Sequence, residues 1–206
     1  MSHHLLRLIA ANAIVFSLPS AAMDQAAKMT VPSMPSELQV PAGNTLYLKG
    51  YAVGTQNYVC LPGAGGPAWR FLGPQATLFL TIPWIQGEIR QQIATHFLSS
   101  NPAEAGTARP VWQHSLDTSA VWGRVKASST DPNFVAAGAI PWLLLEAVGA
   151  QRGPIGGSAL VQTTYIQRLN TSGGVAPTSG CNEPAYGAVV LVPYTTDYFF
   201  YRDARR

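Results

Sequence analysis

The stretch that decides the fold is "NTLYLKGYAVG", residues 44–54, because its side chains alternate in character from one residue to the next. Leu46 and Leu48 fall on one side of an extended chain, whereas Tyr47 and Lys49 fall on the other. Helices repeat about every 3.6 residues and strands every two, so this alternation is typical of a β-strand with two different faces. The pattern predicts a strand at the start of the folded domain.

Short apolar runs rich in β-branched and aromatic residues recur after this strand, and clusters of glycine and proline separate them. The runs are QNYVC, WRFLG, ATLFLTI, SAVWGRVKA, WLLLEAV, LVQTTYIQRLN, GAVVLVPY and DYFFY. Many short strands with frequent turns indicate an all-β, single-domain antiparallel sandwich or barrel with at most one or two short helices.

Two segments are the best helix candidates. In GEIRQQIATHF (87–97), Ile89 and Ile93 are four residues apart and would share a helical face. In PWLLLEAVGA (141–150), Pro141 would begin a helix and Gly149 would end it. Both segments would fit a strand almost as well.

Residues 1–22 have the parts of a secretory signal peptide: a basic start at Arg7, an apolar run, and the small residues Ser20-Ala21-Ala22 for cleavage. The run is shorter than the roughly 20 apolar residues that span a bilayer, which argues against a membrane anchor. We expect a soluble periplasmic or secreted protein without a membrane span. The proline-containing residues 23–42 read as an extended leader, and residues 43–206 as one β-rich domain.

The two cysteines, Cys60 and Cys181, both lie in this predicted domain. An even number of cysteines in an exported protein favours a disulfide, since the compartments outside the cytosol are oxidising. The alternative is a pair of free thiols.

Charge is sparse, at 11% of residues with a formal net charge of +3. The basic residues are scattered singly apart from three arginines near the C-terminus, whereas nucleic-acid-binding proteins concentrate them on one face. We therefore expect no nucleic-acid partner. The sequence also lacks the phosphate-binding loop, the dinucleotide-binding glycine pattern, G-x-S-x-G and H-E-x-x-H, so no cofactor is predicted.

Two histidines, His96 and His114, remain once the signal peptide is removed. With Asp117 or Glu88 they could ligate zinc, copper or iron. A structural role, with hydrogen bonds at strand ends, is the favoured interpretation. Carboxylate pairs could also serve a glycosidase, but Asp117 before Thr118-Ser119 fits a turn in which the carboxylate accepts backbone N–H groups.

The segment ARPVWQHSLDTSAVWG, residues 108–123, predicts a hairpin with Trp112 and Trp122 on its two arms and Asp117 capping the turn. The tryptophans at 69, 84, 112, 122 and 142 could stack against sugar rings, but their apolar neighbours favour a place in the core.

Long and unusual motifs carry a family resemblance. They are GTQNYVC, WRFLGPQATL, THFLSSNP, WQHSLDTSAVWG, IPWLLLEA, YIQRLNTSGGVAP and VPYTTDYFFY. Between about Leu38 and Tyr201 the chain resembles the exported bacterial and fungal proteins of domain of unknown function family 3455. The resemblance implies importance without assigning roles, at His96, Trp112, Asp117, Ser119, Trp122, Gln167, Arg168, Asn170 and Asp197.

From these observations we expect a β-domain that binds a ligand or a cell-envelope component, glycans included, without catalysis. The candidate ligand-binding residues are His96, Trp112, His114, Asp117, Trp122 and Arg168. The runner-up is a metal-assisted or acid–base enzyme built on His96, His114 and Asp117, with Arg168 as an anion clamp. A structural envelope protein without a small ligand is a third possibility.

Overall fold

Strands make up most of the fold in a computed structural model, which describes residues 29–85 and 87–205. The predicted signal peptide, residues 1–22, lies outside the described residues. The strands are β1 (Asn44–Leu61), β2 (Ala68–Trp84), β3 (Gly87–Asn101), β4 (Thr107–His114), β5 (Ala120–Ser129), β6 (Trp142–Gln151), β7 (Thr163–Gly173) and β8 (Val189–Asp203).

The eight strands form a closed barrel in which each pairs antiparallel with its neighbours in sequence. Pairing of β1 with β8 closes the barrel, with Asn44 opposite Asp203. The all-β prediction is confirmed, and of its two architectures the barrel is the one observed. Across the described chain, helical structure is confined to short 3₁₀ turns at Ser36–Leu38, Pro102–Glu104 and Glu183–Ala185. A helix with the length and apolar character to cross a membrane is not found among these residues.

Both helix candidates are wrong, since residues 87–97 belong to β3 and residues 142–150 to β6. Ile89 and Ile93 are four residues apart, a spacing that places two side chains on one face of a strand as well as of a helix. In β6 the apolar run is continuous because both faces are covered. Leu145 belongs to the barrel's inner core, whereas Trp142 and Leu144 pack in a cluster on its outer wall.

That outer cluster is covered by residues from the second half of the predicted leader. Leu38 is fully buried there beside Phe199. Gln167 donates a hydrogen bond from Nε2 to the Leu38 carbonyl oxygen at 2.7 Å and accepts one from the Tyr201 hydroxyl at 2.7 Å. Residues 31–42 form no strand, and they are packed against the barrel wall.

The barrel has two different ends, because the connections between antiparallel strands alternate from one end to the other. We call the end formed by connections 62–67, 102–106, 130–141 and 174–188 the mouth end. The β2–β3, β4–β5 and β6–β7 connections form the closed end, where Leu160 is fully buried as part of the inner core.

A disulfide joins Cys60, near the end of β1, to Cys181 in the β7–β8 connection. The predicted pairing is confirmed. It fixes the longest connection of the mouth end to the barrel wall across a sequence separation of 121 residues.

Candidate functional site

An internal cavity of about 280 Å³ opens at the mouth end. An eight-stranded barrel has an interior just wide enough to be filled by side chains or to hold one small ligand. The cavity is near the lower limit of typical small-molecule pockets, which begin at about 300 Å³. The lining residues are Gln56, Tyr58, Phe71, Pro74, His96, Pro110, Trp112, Val125, Ile140, Pro141, Leu143, Leu145, Arg168 and Tyr198. Most of this surface is apolar.

Three aromatic rings pack together along the inner side of the cavity. His96 stacks on Trp112 with ring centroids 4.3 Å apart and planes 12° from parallel. Tyr198 meets both rings edge-on, at 5.2 Å from His96 and 5.3 Å from Trp112. The stack follows from strand register, because His96 in β3 lies opposite Trp112 in β4. Directly opposed side chains on one face of a sheet are close enough to interact.

The imidazole of His96 is held neutral. Burial lowers the pKa of His96 to about 3; the hydrogen bond to the Val111 carbonyl opposes this effect and the positive charge of Arg168 adds to it. Because a carbonyl oxygen only accepts, Nδ1 must donate in the 2.9 Å contact with Val111. The other nitrogen, Nε2, therefore carries a lone pair at neutral pH.

Several polar atoms around the cavity are buried without a hydrogen bond of good geometry to the described part of the protein, although Tyr198 is close enough to Tyr194 and Arg168 to interact with both. Among the described residues, no hydrogen-bond partner is found for Gln56 Nε2, Trp112 Nε1 or the Tyr198 hydroxyl. These side chains are 3%, 1% and 1% exposed. Buried polar groups are normally satisfied, and leaving one unpaired costs about 1–3 kcal/mol. Such atoms also occur outside the lining, in Trp122, Trp142 and Tyr194. Within the cavity, they lie beside the Arg168 charge, where a ligand that supplies polar atoms would pair with them.

Arg168 is the one charged side chain of the lining, with His96 neutral. Its Nε and Nη2 donate to a single oxygen, the Pro141 carbonyl, at 3.2 and 2.9 Å. Within residues 29–85 and 87–205, no carboxylate lies at ion-pair distance from it. Burial raises the pKa of Tyr58 and of Tyr198, and the positive charge of Arg168 opposes both increases. The cavity therefore has a positive local charge.

Three of the six predicted ligand-binding residues line this cavity: His96, Trp112 and Arg168. His114 lies two residues after Trp112 in β4, on the same inward face but nearer the closed end, and it is opposite Ala94. It does not line the cavity. Instead, its Nδ1 lies 3.0 Å from Asp117 Oδ1 in the β4–β5 turn.

Asp117 organises the closed end, as the turn interpretation predicted. Its Oδ1 accepts hydrogen bonds from the Ser119 backbone N–H at 2.9 Å and the Ser119 hydroxyl at 2.7 Å. Its Oδ2 accepts one from the Ala159 backbone N–H at 2.8 Å. Burial acts to raise the pKa of Asp117, but the hydrogen bonds from Ala159 and Ser119 outweigh it and lower the pKa to about 2. The carboxylate joins two connections rather than facing a ligand.

The predicted hairpin is also present, with Val111 opposite Trp122 and Trp112 opposite Val121. Since Trp112 and Val121 belong to the inner core, Trp122 faces outward, where it is buried in a small cluster with Val111. Trp122 therefore lies outside the cavity.

In the part of the chain that the structure describes, no three His, Cys, Asp or Glu side chains form a group that could hold a metal ion. The residues of the proposed metal-assisted enzyme thus do not form such a group. Asp117 is already bonded within its turn.

Three polar cavity residues were not among the sequence candidates: Gln56, Tyr58 and Tyr198. The sequence did contain a signal for Gln56. In β1 it lies on the same alternating face as Ala52, which belongs to the inner core, so its side chain could have been predicted to point into the barrel. A polar side chain that points into a barrel needs a hydrogen-bond partner there, because burying it unpaired is unfavourable. The Tyr58 hydroxyl does so by donating to the Gly174 carbonyl at 2.6 Å, whereas Gln56 Nε2 does not.

The fold and the cavity define an eight-stranded antiparallel β-barrel with an internal, mainly apolar cavity open at one end. The chain belongs to the family described as protein of unknown function (DUF3455), whose family model matches residues 41–202. The family resemblance is thereby confirmed. Comparisons with curated proteins and with solved structures gave no significant match.

Proposed function

We propose that this protein binds one small, largely apolar molecule in the mouth-end cavity and does not transform it. The observation that carries the proposal is an open, mainly apolar cavity whose lining holds the charge of Arg168 without a carboxylate partner among the described residues, together with buried polar atoms such as Trp112 Nε1 that lack a well-formed hydrogen bond. A barrel whose only task was structural would gain by filling this space with side chains, because close packing adds dispersion contacts and avoids unpaired polar groups.

The protonation states of the cavity support binding rather than acid–base catalysis. A general acid or base works best when its pKa is near the working pH. The pKa of His96 is about 3, and burial raises the pKa of Tyr198 above its usual range. No Asp or Glu is among the lining residues. The described cavity therefore holds no pair of side chains tuned for proton exchange near pH 7.

The size of the cavity favours a small molecule over a polymeric glycan as the occupant. Of the five tryptophans offered as stacking surfaces, Trp112, Trp122 and Trp142 are buried and inaccessible to a chain of sugars. Trp84 is 63% exposed at the end of β2, so the expectation of a core position is wrong for it, but it lies outside the cavity. The Cys60–Cys181 disulfide fits an oxidising compartment, which supports the proposal that the protein acts in the periplasm or outside the cell.

A cavity-filling substitution tests the proposal. Leu143 lines the cavity, whereas Leu191 on β8 does not and is 54% exposed. Leu143→Trp and Leu191→Trp are therefore a matched pair of test and control variants. A library of small apolar acids, alcohols and amines would be screened by thermal shift, and hits measured by isothermal titration calorimetry.

We expect hits to raise the melting temperature of the wild type and of Leu191→Trp, and to lose at least about tenfold in affinity for Leu143→Trp, equivalent to 1.4 kcal/mol. A library without hits, or hits that bind Leu143→Trp as tightly as the wild type, would contradict binding in this cavity.

A further inference from the structure

We infer that the molecule bound in the cavity is a small monocarboxylate with an aromatic body, and that Arg168 binds its carboxylate group. This inference rests on the proposed function and names the class of ligand.

The first support is the hydrogen-bonding capacity of Arg168. A guanidinium has five N–H donors in a planar fork, which matches the two oxygens of a carboxylate. Nε and Nη2 both donate to the same Pro141 oxygen, and the guanidinium also interacts with the Tyr198 hydroxyl. The side chain is thus oriented by the backbone at the cavity wall, with donors left for a ligand.

The second support is the uncompensated charge. Other half-buried cations of the described chain have carboxylate partners: Lys49 lies 3.0 Å from Asp197 and Arg109 lies 2.9 Å from Glu104. Arg168 is partly buried beside an apolar cavity without such a partner. Partial burial of a charge is unfavourable unless the charge is paired. A bound anion would supply the missing partner.

The number of charges selects the kind of anion. A phosphate is usually held by several cations or by backbone N–H groups at a helix N-terminus. The cavity offers one cation, together with the neutral donors Gln56 Nε2 and the Tyr198 hydroxyl. One planar cation with a few neutral donors suits a single carboxylate.

The aromatic cluster selects the body of the ligand. His96, Trp112 and Tyr198 line the cavity as a cluster of rings stacked or edge-on to one another, and aromatic rings prefer offset-stacked or edge-to-face neighbours. A cavity of about 280 Å³ holds one aromatic ring with a short linker to the carboxylate. Arylalkanoic acids combine these features.

Three compounds with one body test the inference: 3-phenylpropanoate, 3-phenylpropan-1-ol and 3-phenylpropylammonium. Each is titrated by calorimetry at pH 7 into the wild type, Arg168→Gln and Arg205→Gln. Arg205 is a matched control, because it is 89% exposed and paired with Asp203 beyond β8, at the end of the barrel opposite the mouth.

For the wild type and Arg205→Gln we expect the order acid, alcohol, ammonium, with the acid at least about tenfold tighter than the alcohol, since charge-assisted hydrogen bonds are about twice as strong as neutral ones. In Arg168→Gln we expect the acid to lose that advantage while the alcohol keeps its affinity. If Arg168→Gln does not fold, the wild-type order decides the ligand class, and Arg168→Lys, which keeps the charge but not the planar fork, tests the role of Arg168 through a reduced preference for the acid.

Alcohol or ammonium binding as tightly as the acid in the wild type would overturn the carboxylate inference and leave the cavity proposal standing. Retention of the acid preference by a folded Arg168→Gln would overturn the role of Arg168. If none of the three compounds bound while other library members did, the inferred ligand class would be wrong. Failure of the whole library would instead refute the proposed function.

Discussion

Lowering the pH from 7 to 5 should destabilise the folded protein by about 2 kcal/mol through His96 alone. The pKa of His96 is about 3 in the folded barrel, where burial disfavours the charged ring, against an ordinary value of 6.5. Below pH 6.5 the unfolded chain takes up a proton that the folded chain does not, so stability is lost as the pH falls. Each pH unit in that window costs about 1.4 kcal/mol, and one and a half units separate 6.5 from 5. The loss ends near pH 3, where the folded ring also becomes protonated.

Between pH 7 and 5 the change in the free energy of unfolding reflects His96 and not the carboxylates with lowered pKa values. The pKa of Glu104 is lowered to about 2 by hydrogen bonds from Arg109 and Asn101, and that of Asp117 is also about 2. Groups with a depressed acid pKa contribute stability that is lost only as the pH falls below their ordinary values, 4.5 for Glu104 and 3.8 for Asp117. Their effect therefore begins below the measured interval.

The assay is urea unfolding at pH 7, 6 and 5, followed by tryptophan fluorescence, for the wild type, His96→Gln and His114→Gln. Glutamine at position 96 keeps an amide donor for the Val111 carbonyl but cannot be protonated. We expect His96→Gln to be less stable than the wild type at pH 7, because it loses the ring stack on Trp112, yet to lose about 2 kcal/mol less than the wild type between pH 7 and 5. His114→Gln should retain the loss due to His96. Equal pH dependence in the wild type and His96→Gln would refute this account of the buried histidine.

Two further predictions concern the ends of the barrel. Replacing the disulfide by Cys60→Ala together with Cys181→Ala removes a cross-link over 121 residues, which in the chain-entropy model lowers the free energy of unfolding by about 5 kcal/mol. Urea unfolding of oxidised, reduced and double-variant protein checks this, and a stable variant with an unchanged midpoint would contradict it. At the closed end, Asp117→Ala leaves N–H groups of Ser119 and Ala159 without their acceptor and should cost about 1–3 kcal/mol. Hydrogen exchange should accelerate at these two amides while ligand affinity stays the same; a loss of affinity matching that of Leu143→Trp would place Asp117 in the binding site after all.

Much of the barrel could be predicted from the sequence because two-residue alternation is a local property. It indicated the strand at 44–54 and the hairpin around Asp117, both of which are present. Closure of the barrel could not be read in this way, since it depends on the pairing of β1 with β8 at opposite ends of the domain. A contact distant in sequence also explains why β6 was taken as a helix candidate. Its outer face is apolar because residues 31–42 cover it, and the sequence of β6 alone does not show that contact.

The candidate site was predicted in part, for a similar reason. His96 and Trp112 lie on strands that pair directly, so one local region contained both. Arg168 comes from β7, and only the family resemblance and its chemistry pointed to it. The sequence could not separate His96, which faces the cavity, from Asp117, which faces the turn, because residue type does not reveal which backbone amides lie nearby.

The pairing of Asn44 with Asp203 brings the two chain segments that flank the barrel side by side at the closed end. A hydrogen bond from the Ala204 N–H to the Gly43 carbonyl at 2.9 Å continues that pairing beyond the strands. Anything covalently attached there, such as a surface tether, an affinity handle or a fluorescent reporter, would leave the mouth unobstructed.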